Sequence, residues 1–375
     1  RRRGVRVYTH RATAGYPTDV DTIVSGKGYG ANSYIETQSP IIAVTGPGPG
    51  SGKLGTCLSQ LYHDHKNGQR SGYAKFETFP VWDLPLKHPV NVAYEAATAD
   101  LGDVNLIDHF HLEAYNERTI NYNRDLEAFP LLGRILERIT NNPMSYRSPT
   151  DMGVNSVGFG IVDDEVVQEA AKEEIIRRYF NHSCEYALGR GEKHSIEKIE
   201  LLMDELGVKP EDRSVVAAAR EAAKHAEKKG KGVDGTFCGA ALELRDGRLV
   251  TGKNFPLLHS SSSLILNAAK TLVDIPDSID LLPTNVIQSL EYVKKNVLQQ
   301  EKVGLDLEET LISLSISAAG NPAASAAVEK LKDLRDCEVH LSHMPTPGDE
   351  AGFRKIGVNV TSDPLFASKC LFDDE

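Results

Sequence analysis

Apolar and polar positions first fall into order at Ile41-Ile42-Ala43-Val44-Thr45, a short apolar block that reads as a strand. It runs into the Gly/Pro loop Gly46-Pro47-Gly48-Pro49-Gly50-Ser51-Gly52, and a helix is expected to open at Lys53. Leu54, Cys57, Leu58, Leu61 and His65 form its packed stripe, and Asn67-Gly68 ends it. Tyr73-Ala74-Lys75-Phe76-Glu77-Thr78-Phe79 then alternates as a second strand, closed by Pro80, with Lys75 and Glu77 on one face. Strand, helix and strand around a Gly-rich turn predict a right-handed βαβ unit and a largely parallel sheet. Ligands bind beyond the carboxyl ends of such strands.

The rest of the chain alternates in the same manner. Residues 4–40 read as short strands and loops, and Asn91–Thr98 as a helix. Tyr122-Asn123-Arg124-Asp125 and Tyr146–Asn155 read as polar loops carrying reactive groups, with turn and cap chemistry as the plain alternative. Helices are expected over Asp164–Phe180, Ile196–Leu206 and Glu211–Lys229, and a Lys/Gly run then marks a boundary near residue 232. Asp246-Gly247 between two apolar runs predicts a hairpin. Ser260–Ser263 start a helix, and others span Val286–Leu298 and Leu307–Ala318, with Asn321-Pro322 capping another. Glu338–His343, Gly348–Ile356 and Val358–Thr361 make a last strand–helix–strand. The fold class expected is α/β: a P-loop-like βαβ sheet domain over 1–162, a helical insertion over 163–232, and a mixed α/β C-terminal region over 233–375.

Composition narrows the function classes. A chain of 375 residues with 40% hydrophobic and 25% charged residues is an ordinary globular polypeptide of two or three domains. Its net charge of −11 argues against binding a nucleic-acid backbone. No apolar run is long enough to span a bilayer, and Arg1-Arg2-Arg3-Gly4 is not followed by a signal-peptide core. Five scattered cysteines without a C-x-x-C pair fit a reduced, cytoplasmic setting. A homo-oligomer is expected.

The Gly/Pro loop is the feature most suited to chemistry. Gly48, Gly50 and Gly52 can turn backbone N–H groups toward one point, the helix start adds positive potential, and Lys53 can meet a phosphate oxygen. Measured against G-x-x-x-x-G-K-[ST], Pro47 replaces the first glycine and Leu54 replaces the hydroxyl that holds magnesium, leaving Ser51 or Thr56 as substitutes off the standard spacing. The plain alternative is a turn that only joins strand to helix. Val104-Asn105-Leu106-Ile107-Asp108 is a loose match to an apolar run ending in a magnesium-binding aspartate. If His109-Phe110-His111-Leu112-Glu113 were extended, two imidazoles and a carboxylate would share a face and could hold a divalent metal; on a helix they would diverge. His63/His65 and His340/His343 have the wrong spacing to chelate, and no G-x-S-x-G elbow occurs.

Thr45–Lys53 followed by Cys57-Leu58-Ser59-Gln60-Leu61-Tyr62-His63 resembles the uncharacterised protein family 0371, a domain-of-unknown-function family of bacterial proteins. The likeness continues in Gly15–Asp21, Tyr73–Pro80, Leu84–Asn91, Ser148–Asn155 and Leu305–Leu311, and covers essentially the whole chain. The resemblance implies longer relatives and no catalytic residues to carry over. On the residues themselves, the leading expectation is an ATP- or other phosphate-ligand-dependent transferase or ligase acting on a small molecule. Lys53, Glu77 and Asp151 are its catalytic candidates. Gly48, Gly50, Ser51, Gly52, Lys53 and Thr56 hold the phosphates, and Asp108 or Glu77 holds Mg2+. The alternatives are a metal-dependent hydrolase on His109, His111 and Glu113, and a non-catalytic module that binds a phosphorylated ligand.

Overall fold

The computed structural model describes residues 4–48, 50–76, 79–153, 157–230, 232–233, 235–300 and 303–367, divided between two units, 1–169 and 170–375. It is mixed α/β, with 14 α-helices and two small sheets among the described residues.

The regular elements of the first unit are mostly helices. It contains α1 (Val20–Ile23), α2 (Lys53–Lys66), α3 (Pro89–Ala97), β1 (Asn105–Ile107), α4 (His109–Tyr115), β2 (Ile120–Tyr122), α5 (Asn123–Thr140) and α6 (Pro149–Met152). The expected stripe of α2 is real: Leu58 and Leu61 pack with Ile23 and Tyr29 against Phe129, Leu132 and Ile135 of α5. β1 and β2 pair antiparallel, Ile107 opposite Ile120. Tyr122–Asp125, expected as a loop, is instead the end of β2 and the first turn of α5.

The two strands expected around the loop do not form. Residues 41–45 join no sheet, and Ile41 is 87% exposed. Among the described residues of 73–79, only Lys75 makes a bridge, to Gly153. A helix satisfies its own backbone, whereas a strand needs a neighbour's N–H and C=O groups, and apolar alternation cannot supply one. The parallel βαβ unit expected at the Gly/Pro loop is therefore absent among the described residues.

The C-terminal half follows its sequence closely. Its elements are α7 (Asp164–Ala187), α8 (Lys193–Leu206), α9 (Ser214–Lys228), β3 (Gly239–Glu243), β4 (Leu249–Lys253), α10 (Ser260–Leu272), α11 (Thr284–Tyr292), α12 (Leu307–Ser317), α13 (Pro322–Lys330), β5 (Glu338–Leu341), α14 (Pro347–Ile356) and β6 (Asn359–Ser362). The sheet order is β4-β3-β5-β6, with β3 antiparallel to both neighbours and β5 parallel to β6 through α14. The two-residue period of β3 divides its faces: Ala241 meets Val215 and Ala219 of α9, while Ala240 and Leu242 meet Leu264, Ile265 and Ala268 of α10. α9, within the 163–232 segment, thus packs as one layer of this sheet. Gly252 lets α10 approach β4: a Cβ there would sit 2.3 Å from the Leu264 nitrogen and 2.5 Å from the Ser260 carbonyl oxygen. Arg213, fully buried ahead of α9, donates to the carbonyls of Val339 (3.1 Å) and Asn359 (3.2 Å) and pairs with Glu338.

Candidate functional site

The Gly/Pro loop reaches α2 through two glycines in the left-handed region, Gly50 at φ +69° and Gly52 at +87°, where an L side chain costs about 1–2 kcal/mol. Gly52 is the N-cap and has no side chain to cap with. The first N–H groups of α2 consequently lack a side-chain partner, and the 14-residue helix adds its dipole there. Lys53 folds back over the loop, its Nζ donating to the Gly48 carbonyl at 2.7 Å and the Ser51 hydroxyl at 3.3 Å. Gly50, Ser51 and Gly52 are exposed, and Gly48, Lys53 and Thr56 half-buried. The arrangement sets these donors beside one cation, which is the chemistry an anion site requires.

The acidic candidates lie elsewhere. Glu77 is outside the described residues. Asp151 sits in α6, where its Oδ2 accepts from Tyr115 Oη and the Arg147 N–H, both at 2.8 Å. The hydrogen bond to Asp151 raises the Tyr115 phenol above its ordinary value. Asp108 is fully buried as the N-cap of α4, accepting from the His111 N–H (3.0 Å) and from Thr150 N–H (3.1 Å) and Oγ1 (2.6 Å). With its oxygens taken by caps, Asp108 does not present a magnesium ligand. No hydrogen bond or ion pair joins Lys53 to Asp108 or Asp151.

The metal alternative fails on local structure. His109, His111 and Glu113 are helical, in α4, so successive members of the set point roughly 200° apart. His111 Nδ1 is 2.8 Å from Ser148 Oγ, and His109 stacks on Phe110. Among the described residues no group of three His, Cys, Asp or Glu side chains could hold a metal ion.

A second polar cluster escaped the sequence reading. Lys75 Nζ donates to Tyr122 Oη and Asp125 Oδ1, each at 2.5 Å, and lies over the Tyr122 ring. Arg124 pairs with buried Asp103, which also accepts from Tyr94 Oη at 3.1 Å. Tyr122–Asp125 stands out as a reactive string, but its partner Lys75 is 47 residues from Tyr122. The Lys75 N–H meanwhile reaches the Met152 carbonyl at 2.7 Å, bringing two of the family-like stretches side by side.

Comparison with known proteins places the chain. The family model described as domain of unknown function DUF1846, N-terminal, matches residues 1–207, and its C-terminal counterpart matches residues 211–372. A UPF0371 protein of Clostridium botulinum (strain Langeland / NCTC 10281 / Type F) is 53% identical over 372 residues, covering 99% of this chain and 74% of the relative. One of Clostridium tetani (strain Massachusetts / E88) is 52% identical over 371 residues, with the same coverage.

Proposed function

We propose that this chain, which belongs to the DUF1846 family, binds the phosphate group of a small phosphorylated ligand, such as ATP, on the loop from Gly48 to Lys53. One observation carries the reading. The start of α2 offers uncapped N–H groups beside two left-handed glycines, and among the described residues Lys53 Nζ is held by the loop's own Gly48 carbonyl and Ser51 hydroxyl. An incoming phosphate oxygen replaces those two weak partners with a charge-assisted one.

Transfer of a phosphoryl group to a small molecule is the chemistry such a loop serves, with Lys53 offsetting charge that develops on the transferring oxygens. Mg2+ would arrive with the nucleotide. The free cysteines Cys57, Cys184, Cys238 and Cys337 fit a reducing cytoplasm. Titration calorimetry with ATP–Mg should give saturable binding, and Lys53→Ala should weaken it at least tenfold. A flat titration of the parent protein overturns the reading.

A further inference from the structure

A cavity of about 540 Å3 opens on the first unit between β1, the start of α4 and the first half of α5. That volume is in the range of small-ligand sites. Leu86, Leu106, Phe110 and Leu126 give it apolar walls, and the His109 ring extends them by lying on Phe110, centroids 4.1 Å apart. Leu106 is 42% exposed, so the apolar wall is open to solvent.

Polar groups on the border of the cavity are left open. The ladder between β1 and β2 runs through alternate residues. The Asn123 N–H reaches the Val104 carbonyl at 3.0 Å, and the Asp108 N–H reaches the Thr119 carbonyl at 2.9 Å. The N–H and C=O groups of Asn105 and Ile107 therefore point away from β2. The Asn105 N–H is taken by Glu95 Oε1 at 2.9 Å, but among the described residues nothing meets the N–H or carbonyl of Ile107. Neighbouring strand residues send their side chains to opposite faces. Leu106 and Ile107 both line the cavity, so it lies along this open edge. On the α5 side, Pro130 has no N–H to give the Leu126 carbonyl four residues back. Glu127, also on the lining, is exposed and makes no hydrogen bond or ion pair among the described residues. Asn123 is engaged, its Oδ1 accepting the Val104 N–H at 3.0 Å. The open groups are thus mostly acceptors: two carbonyls and a carboxylate, against the Ile107 N–H and the His109 ring. A ligand that matches them carries an ammonium and an amide on an apolar body.

We propose that this cavity binds the amino-terminal end of a short apolar peptide. The ammonium lies by Glu127 and the Leu126 carbonyl. The N–H and C=O of the peptide's second residue pair with the C=O and N–H of Ile107, extending the two-stranded sheet by one short strand. Its apolar side chains fill the space between Leu86, Leu106 and Phe110. The site uses neither the Gly48–Lys53 loop nor a phosphate.

The test is titration calorimetry with leucyl-leucinamide in the absence of nucleotide. The peptide should bind saturably, once per chain. Acetylating its amine removes the ammonium and should weaken binding about tenfold. Replacing its peptide N–H by an ester oxygen removes the donor to Ile107 and should weaken binding about fivefold. Glu127→Gln should weaken the free-amine peptide about threefold, as an exposed charge pair allows, and leave the acetylated one unchanged. Leu106→Asn, at an exposed position, should weaken both peptides with little change in Tm. No saturable binding by the parent protein overturns the proposal, as does equal affinity for the acetylated or the ester analogue.

Discussion

Both oxygens of Asp108 are committed: Oδ1 to the His111 N–H, Oδ2 to the N–H and hydroxyl of Thr150. Losing a buried cap and orphaning those donors should cost about 3 kcal/mol, so Asp108→Ala should lower the unfolding free energy from a urea titration by that amount while leaving an ATP–Mg titration unchanged. A changed titration would return Asp108 to the metal. At this scale the sequence shows which residues carry chemistry but not what they are spent on. Thr150 is 42 residues from Asp108, and Asp349 is 90 from His259. Only local patterns, such as Asn321 capping α13 just ahead of Pro322, were legible in advance.

Elements that satisfy their own backbones were the readable ones. α2 opens at Lys53, α8 ends at Gly207, Asp306 and Glu309 form a capping box on α12, and Asp246-Gly247 turns β3 into β4. The apolar blocks at 41–45 and 73–79 have strand composition, yet composition does not supply a partner. Close packing is equally invisible. Nothing near Gly252 announces that its hydrogen faces the backbone of α10, and the three nearest atoms that a methyl would strike are main-chain and cannot swing aside. Gly252→Ala should therefore cost about 3 kcal/mol in a denaturant titration, at the upper end for overpacking, and should lower the stability of the C-terminal half.

For the whole molecule, the acidic balance and the division into two units leave pH as an informative probe, and its histidines act in opposite directions. His340 is buried and His343 half-buried, and desolvation holds both below the ordinary value, so the unfolded chain binds protons that the native one refuses; their contribution is lost as pH falls through about 6.5. His259 lies above it, so its contribution is complete below about 6.5 and is lost as pH rises through the folded value. Asp349 lies below the usual carboxylate range, with a contribution lost only in acid. Melting curves from pH 5 to 8 should therefore show His259→Gln converging on the parent protein at high pH and falling below it at low pH. A constant gap would mean that His259 acts through packing alone. No described helix is long and apolar enough to cross a membrane, as the absence of a long apolar run implied.

Arg213 also carries a consequence for the order of folding. Two of its acceptors, the carbonyls of Val339 and Asn359, come 126 and 146 residues later and stand side by side only when β5 and β6 are in register. During synthesis α9 leaves the ribosome long before either strand, and its guanidinium cannot be buried until both have paired. The sheet should consequently close from its C-terminal strands inward, against the direction of translation. Ribosome-stalled chains that end before β6 should stay protease-sensitive throughout α9, and protection should appear once Ser362 has emerged.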